Sequence, residues 1–147
     1  MNVKLWMAVV IIATVAPVVW FFTRPTESRR IHRTFRDLTE AIAANDIDRA
    51  LSFFDPQAVS CADQYRHYAA LATVQRVRIS QFRVKSINKF TSPPTAVVSF
   101  NCGCTVRENR FGTVSSFIVV FDQIKLIKDD QNNWKVTDRI EYHVPNR

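Results

Sequence analysis

Two runs of β-branched and aromatic residues, separated by a polar turn, dominate the last third of this chain. Residues 113–128 read Thr-Val-Ser-Ser-Phe-Ile-Val-Val-Phe-Asp-Gln-Ile-Lys-Leu-Ile-Lys; Asp-Asp-Gln-Asn-Asn follows, and then Trp-Lys-Val-Thr-Asp-Arg-Ile-Glu-Tyr-His up to residue 143. Such a pattern is a hairpin signal. Both runs exceed the usual strand length of about 5–6 residues, so they predict a large antiparallel sheet whose apolar face must be covered.

The rest of the chain supplies the cover. Ile31, Phe35, Leu38 and Ile42 recur at spacings of four, three and four, which places a helix over Arg29–Asn45. Asn45-Asp46 interrupts it, and Asp46 is placed to cap a short second helix that ends at Asp55-Pro56. Ser60-Cys61-Ala62-Asp63 has the form of a capping box opening a third helix to about Val74. From Arg76 the period changes toward two. Strands are predicted at Arg76–Phe90, with an irregularity near Gln81, and at Thr95–Cys104, joined by Ser92-Pro93-Pro94. Three helices followed by four strands predict an α+β domain with the helices packed on one face of a curved antiparallel sheet.

Ahead of this lies a segment of another kind. Leu5–Phe22 is an 18-residue apolar run interrupted only by Thr14 and Pro17, with Trp6 and Trp20 near its ends. At 1.5 Å per residue it just crosses a hydrocarbon core of about 30 Å. Pro17 spoils the best signal-peptidase site, Thr14-Val15-Ala16, so an uncleaved transmembrane helix is favoured over a secretory signal. The organisation expected is an anchor over 1–23, a basic linker over 24–28 and a domain over 29–147. The protein is then a single-pass membrane protein. Its orientation stays open, because the arginines after the span and the short N-terminal tail argue for opposite sides.

Charge and composition exclude several functions. Of the net charge of +7, Thr23–Arg36 carries +4 and Asp37–Arg147 only +2, so the domain has little of the field that nucleic-acid binding needs. Two glycines cannot build a phosphate loop. Cys102-Gly103-Cys104 is not a zinc or redox spacing, the histidines are scattered, and no metal or cofactor is expected. In an exported domain Cys61 would be free to pair with Cys102 or Cys104; in a cytoplasmic one all three would be small buried hydrophobes. The bases Arg76, Arg78, Arg83, Lys85 and Lys89, placed by alternation, fall on both faces of their strand and suit an edge strand better than a phosphate-binding stripe.

The amphipathic helix Ile31–Ala44, the segment Asn-Asp-Ile-Asp-Arg-Ala-Leu-Ser-Phe-Phe at 45–54 and the closing Asn-Asn-Trp-Lys-Val-Thr-Asp at 132–138 resemble the nuclear transport factor 2-like superfamily, which includes ketosteroid isomerase and the SnoaL-like proteins. The resemblance covers roughly residues 29–143. It implies a cone: three helices closing a strongly curved antiparallel sheet around a pocket, with dimers often formed through the sheet. The family hosts enzymes, binders and assembly modules, so fold leaves function open.

Within such a cone, strict alternation puts Trp134, Val136, Asp138, Ile140 and Tyr142 on the inward face of the last strand. Asp138 would then be a carboxylate in an apolar pocket, and Asp122 is the parallel case on the strand before it. The resemblance adds Tyr65 and Tyr68 of the third helix at the mouth. The candidate ligand-binding residues are therefore Tyr65, Tyr68, Asp122, Trp134, Asp138 and Tyr142, for a small hydrophobic ligand. No spacing fixes an acid–base pair. The leading expectation is a membrane-anchored, non-catalytic binding or assembly module, with a homodimer through the doubly apolar strand Phe117–Leu126. The alternative is a SnoaL-like small-molecule isomerase or hydrolase using a cavity carboxylate.

Overall fold

The structure is a computed structural model that describes residue 17 and residues 26–143, with the backbone path alone for 138–143. The expected span 5–22, apart from residue 17, lies outside the described residues, and among the described residues no helix is long and apolar enough to cross a membrane. The chain divides into two compact units, Met1–Arg30 and Ile31–Arg147. In the described part of the first, the opening turn of a helix pairs Arg30 with Glu27 at 3.9 Å.

The second unit carries the fold. Helix α1 is Glu27–Ala43, and from Ile31 onward it buries Ile31, Phe35, Leu38 and Ala41. It stops where Asn45 turns left-handed, at φ 54°. Asp46 N then donates to Ala41 O and Asn45 N to Ile42 O, both at 3.0 Å, which is the double closure of a Schellman end with Asn in the usual glycine place. Asp46 next caps α2, Ile47–Leu51, its carboxylate accepting from Arg49 N at 3.1 Å. Asp46→Ala is expected to cost about 1 kcal/mol in urea unfolding, since a five-residue helix has few other bonds to hold its start.

Helix α3 spans Val59–Leu71. Its N-cap is Ala58, without a side-chain bond, so the expected capping box at Ser60 does not form. The chain is already turning upstream: Asp55 Oδ1 accepts from Gln57 N at 3.1 Å, and Ala58 N donates to Asp55 O at 2.9 Å. The helix therefore starts a residue before Ser60.

Four strands follow in meander order: β1 Ala72–Asn88, β2 Thr95–Glu108, β3 Val114–Lys128 and β4 Trp134–His143. All pairings are antiparallel. Phe54 adds a short parallel bridge to Val136, held by Asp55 N to Val136 O at 2.8 Å and Val136 N to Phe53 O at 2.9 Å. The α2–α3 connection is thereby stitched to the far edge of the sheet.

β1 uses 17 residues to pair with 14 of β2. Three bulges, at Val74/Arg76, Ser80/Arg83 and Val84/Ser86, take up the difference. Each bulge bends and twists the strand, and each resets which residues face inward. Ala72, Val74, Val77, Ile79, Phe82, Val84 and Ile87 are half-buried, whereas Arg76, Arg78, Arg83 and Lys85 are all exposed. The alternation that distributes these bases over both faces fails here, because each bulge flips the phase. β1 is an edge strand, as expected.

The core lies between α1 and the inner face of the sheet. Its centre is aromatic: Phe35 meets Phe82 at 5.0 Å and Phe100 at 5.2 Å, and Phe100 meets Phe121 at 5.0 Å between ring centroids. Val98, Ile124, Leu126, Trp134 and Val136 complete it. Among the described residues the buried set contains no polar or charged side chain.

Candidate functional site

Of the six predicted pocket residues, the four whose side chains are described, Tyr65, Tyr68, Asp122 and Trp134, do not line one pocket. Tyr65 is half-buried, its ring stacked on Phe54 at 6.0 Å. Burial, and then the negative charge of Asp46, raises its pKa above the ordinary 10.0. Tyr68 is 56% exposed and touches His67 edge-on at 5.8 Å, so it is no partner for Tyr65 in a pocket. The reason is local: among the residues of α3 only Cys61 is fully buried, so the helix presents no broad inward face.

Asp122 is also corrected. Phe100 pairs with Phe121 and Val98 with Ile124, so Asp122 and Gln123 together stand opposite Ser99. This bulge turns Phe121 and Ile124 both toward the core and leaves Asp122 exposed. Trp134 is 2% exposed and belongs to the core, with Lys128 Nζ 5.5 Å from its ring. The side chains of Asp138 and Tyr142 lie outside the described residues; the register of β3 with β4 shifts between Gln123 and Lys125, opposite residues 138–140.

Among the described residues, a concavity lies elsewhere. A groove of about 580 Å³ runs between the α2–α3 connection, α3 and the β3–β4 turn. Leu51, Phe54, Pro56, Val59 and Ala62 supply its apolar surface, and Asp55, Asp129, Asp130, Arg66 and Lys135 its charges. Most of these charges are already engaged. Asp55 Oδ2 accepts from Thr137 Oγ1 at 2.9 Å, Arg66 pairs with Asp63 at 2.8 Å, and Lys135 donates to Ser52 O. Asp129 holds the β-turn, accepting from Gln131 N at 3.0 Å and Asn133 N at 2.8 Å. The groove is thus a braced, polar-rimmed surface suited to binding. Periodicity could not find it, since its lining comes from loops and from residues 83 positions apart in sequence, as Ser52 and Lys135 are.

A second cluster is chemical rather than concave. Cys102 and Cys104 place their sulfurs 3.5 Å apart, and none of the three cysteines is in a disulfide. The neighbour of each β2 thiol is the other. Either thiol can donate to the other; this contact lowers the pKa of Cys104 and, with burial, raises that of Cys102. Among the described residues no group of three or more His, Cys, Asp or Glu is placed to hold a metal.

Comparison with solved structures settles the architecture. A ketosteroid isomerase-like protein from Erwinia carotovora atroseptica SCRI1043 superposes with a TM-score of 0.53 at 14% identity, over 73% of this chain and 88% of that one. The fold is nuclear transport factor 2-like. The intermembrane space region of the chloroplast protein ARC6 superposes with a TM-score of 0.54 at 10% identity, over 82% of this chain and 97% of that region. No family model matches the chain, and no curated protein sequence matches it. At these identities the likeness is one of nuclear transport factor 2-like fold alone.

One titration isolates Tyr65. Its pKa is raised in the folded chain, so above pH 10 the folded state holds a proton that the unfolded state has lost. Stability is therefore expected to fall as pH rises beyond about 10, and Tyr65→Phe to flatten that fall in denaturation curves compared between pH 9 and 11.

Proposed function

We propose that this protein is a membrane-tethered, non-catalytic binding or assembly module. Residues 5–22 span the bilayer, the linker expected over 24–28 ends at Glu27, where α1 already begins, and the nuclear transport factor 2-like domain carries the contact surface. The observation that carries this reading is the interior of the domain, where Phe35, Phe82, Phe100 and Phe121 occupy the space between α1 and the sheet. Rings packed this closely leave little room for a ligand between α1 and the sheet.

The outer sheet face supports a second copy as partner. Ile118 pairs with Gly103 on that face and is 59% exposed, beside the half-exposed Val120. Apolar surface of this kind is what isologous dimers cover. The test uses the full chain in native membranes with benzoylphenylalanine at Ile118. Illumination is expected to give an adduct of twice the chain mass that resists carbonate extraction, and Ile118→Lys in the untagged partner is expected to reduce it severalfold. Release of the chain by carbonate would sink the tether. Absence of the adduct, together with a small molecule retained at one per chain in native mass spectrometry, would favour the isomerase or hydrolase alternative instead.

A further inference from the structure

Phe100 is buried in the core, and the next two residues of the same β2 face are Cys102 and Cys104. Across the ladders Cys102 stands opposite Ile79 and Val119, and Cys104 opposite Val77 and Phe117. The thiols thus sit on the inner face in an apolar frame, half-buried, while Phe117 beside them is 44% exposed. They mark the margin where the aromatic core ends and the inner face opens.

From this juxtaposition we propose that Cys102 and Cys104 form a two-thiolate site for a soft monovalent metal ion, copper(I) in chemistry. The sulfurs are 3.5 Å apart on one strand. Metal–thiolate bonds are about 2.3 Å, so an ion held by two sulfurs needs them at most about 4.6 Å apart, which small side-chain rotations supply. Thiolates select soft ions over the harder divalent ones. A tetrahedral zinc centre would need two further ligands, and Val77, Ile79, Val119 and Phe117 offer none. Copper(I) is content with two sulfurs.

Binding is an exchange of protons for metal. Two S–H bonds break, two S–Cu bonds form, two protons pass to solvent, and copper remains in the same oxidation state. The two sulfurs, already in contact, then share the metal where they shared a proton.

The experiment titrates copper(I) into the reduced, full-length protein in detergent under anaerobic conditions, against a chromophoric copper(I) chelator. One chelator-resistant copper per chain is expected. Cys102→Ser and Cys104→Ser should each weaken it at least tenfold, and Cys61→Ser should leave it within twofold. Circular dichroism reports whether the variants fold. Copper-edge X-ray absorption on the unaltered chain is independent of them, and two sulfur scatterers are expected. The assignment fails if no copper resists the chelator, if either β2 serine variant binds as before, if Cys61→Ser weakens binding equally, or if the scatterers are nitrogen and oxygen alone.

Discussion

Phe35→Ala is expected to destabilise the domain by about 3–5 kcal/mol, the usual cost of removing a buried aromatic ring from a close-packed core. Phe35 is 3% exposed and is the helix residue that closes on both Phe82 and Phe100. A native domain holds only about 5–15 kcal/mol in total, so this substitution should bring the transition close to ambient conditions. Chemical denaturation followed by circular dichroism measures it. Ile118→Ala serves as the contrast: the same kind of truncation at a 59% exposed site is expected to change stability by no more than about 0.5 kcal/mol. Equal losses at the two positions would contradict the placement of the core.

Asn45 is the second position with a large expected effect. Its amide imitates a neighbouring strand: Oδ1 accepts from Val74 N at 2.8 Å and Nδ2 donates to Val74 O at 2.9 Å. Val74 is where the first bulge of β1 begins, so the amide satisfies backbone groups there directly. The same residue holds the left-handed conformation that ends α1. Asn45→Ala removes both bonds and forces an alanine into that conformation, for an expected loss of about 2–3 kcal/mol. Asn45→Gly removes the bonds but suits the backbone, for about 1–2 kcal/mol. Amide hydrogen exchange separates the two roles: Val74 N–H should lose protection in both variants, and Asp46 N–H, bonded to Ala41 O, should keep it only in the glycine variant.

The elements themselves were readable wherever a single period governs. Ile31, Phe35 and Leu38 locate α1 because a lone amphipathic helix has one apolar stripe. Asn45-Asp46 located the break between helices, and the irregularity expected near Gln81 is there, at φ 53°. What could not be read was the inward or outward sense of strand residues beyond a bulge. Alternation with Ile124 points Asp122 inward, and one extra residue opposite Ser99 turns it outside. The bases of β1 all face outward for the same reason. Tyr65 and Tyr68 failed differently: three residues apart on a helix that fully buries only Cys61, they did not have to share an environment. The groove at Phe54 and Asp55 left no periodic trace, because it is assembled by a backbone bridge to Val136 that no local pattern encodes.

The spacing of the β1 bulges gives this strand a grammar for length change. Inward residues fall at 72, 74, 77, 79, 82, 84 and 87, so the pattern repeats every five positions. Loss or gain of five residues within β1 would carry the strand from one repeat to the next with every facing preserved. A change of one residue between bulges would invert the following segment, presenting bases to the core and valines to water. Relatives of this chain should therefore differ in the length of this strand by quanta of five, and single-residue indels should cluster at the bulge positions, where one residue more or less is only a different bulge.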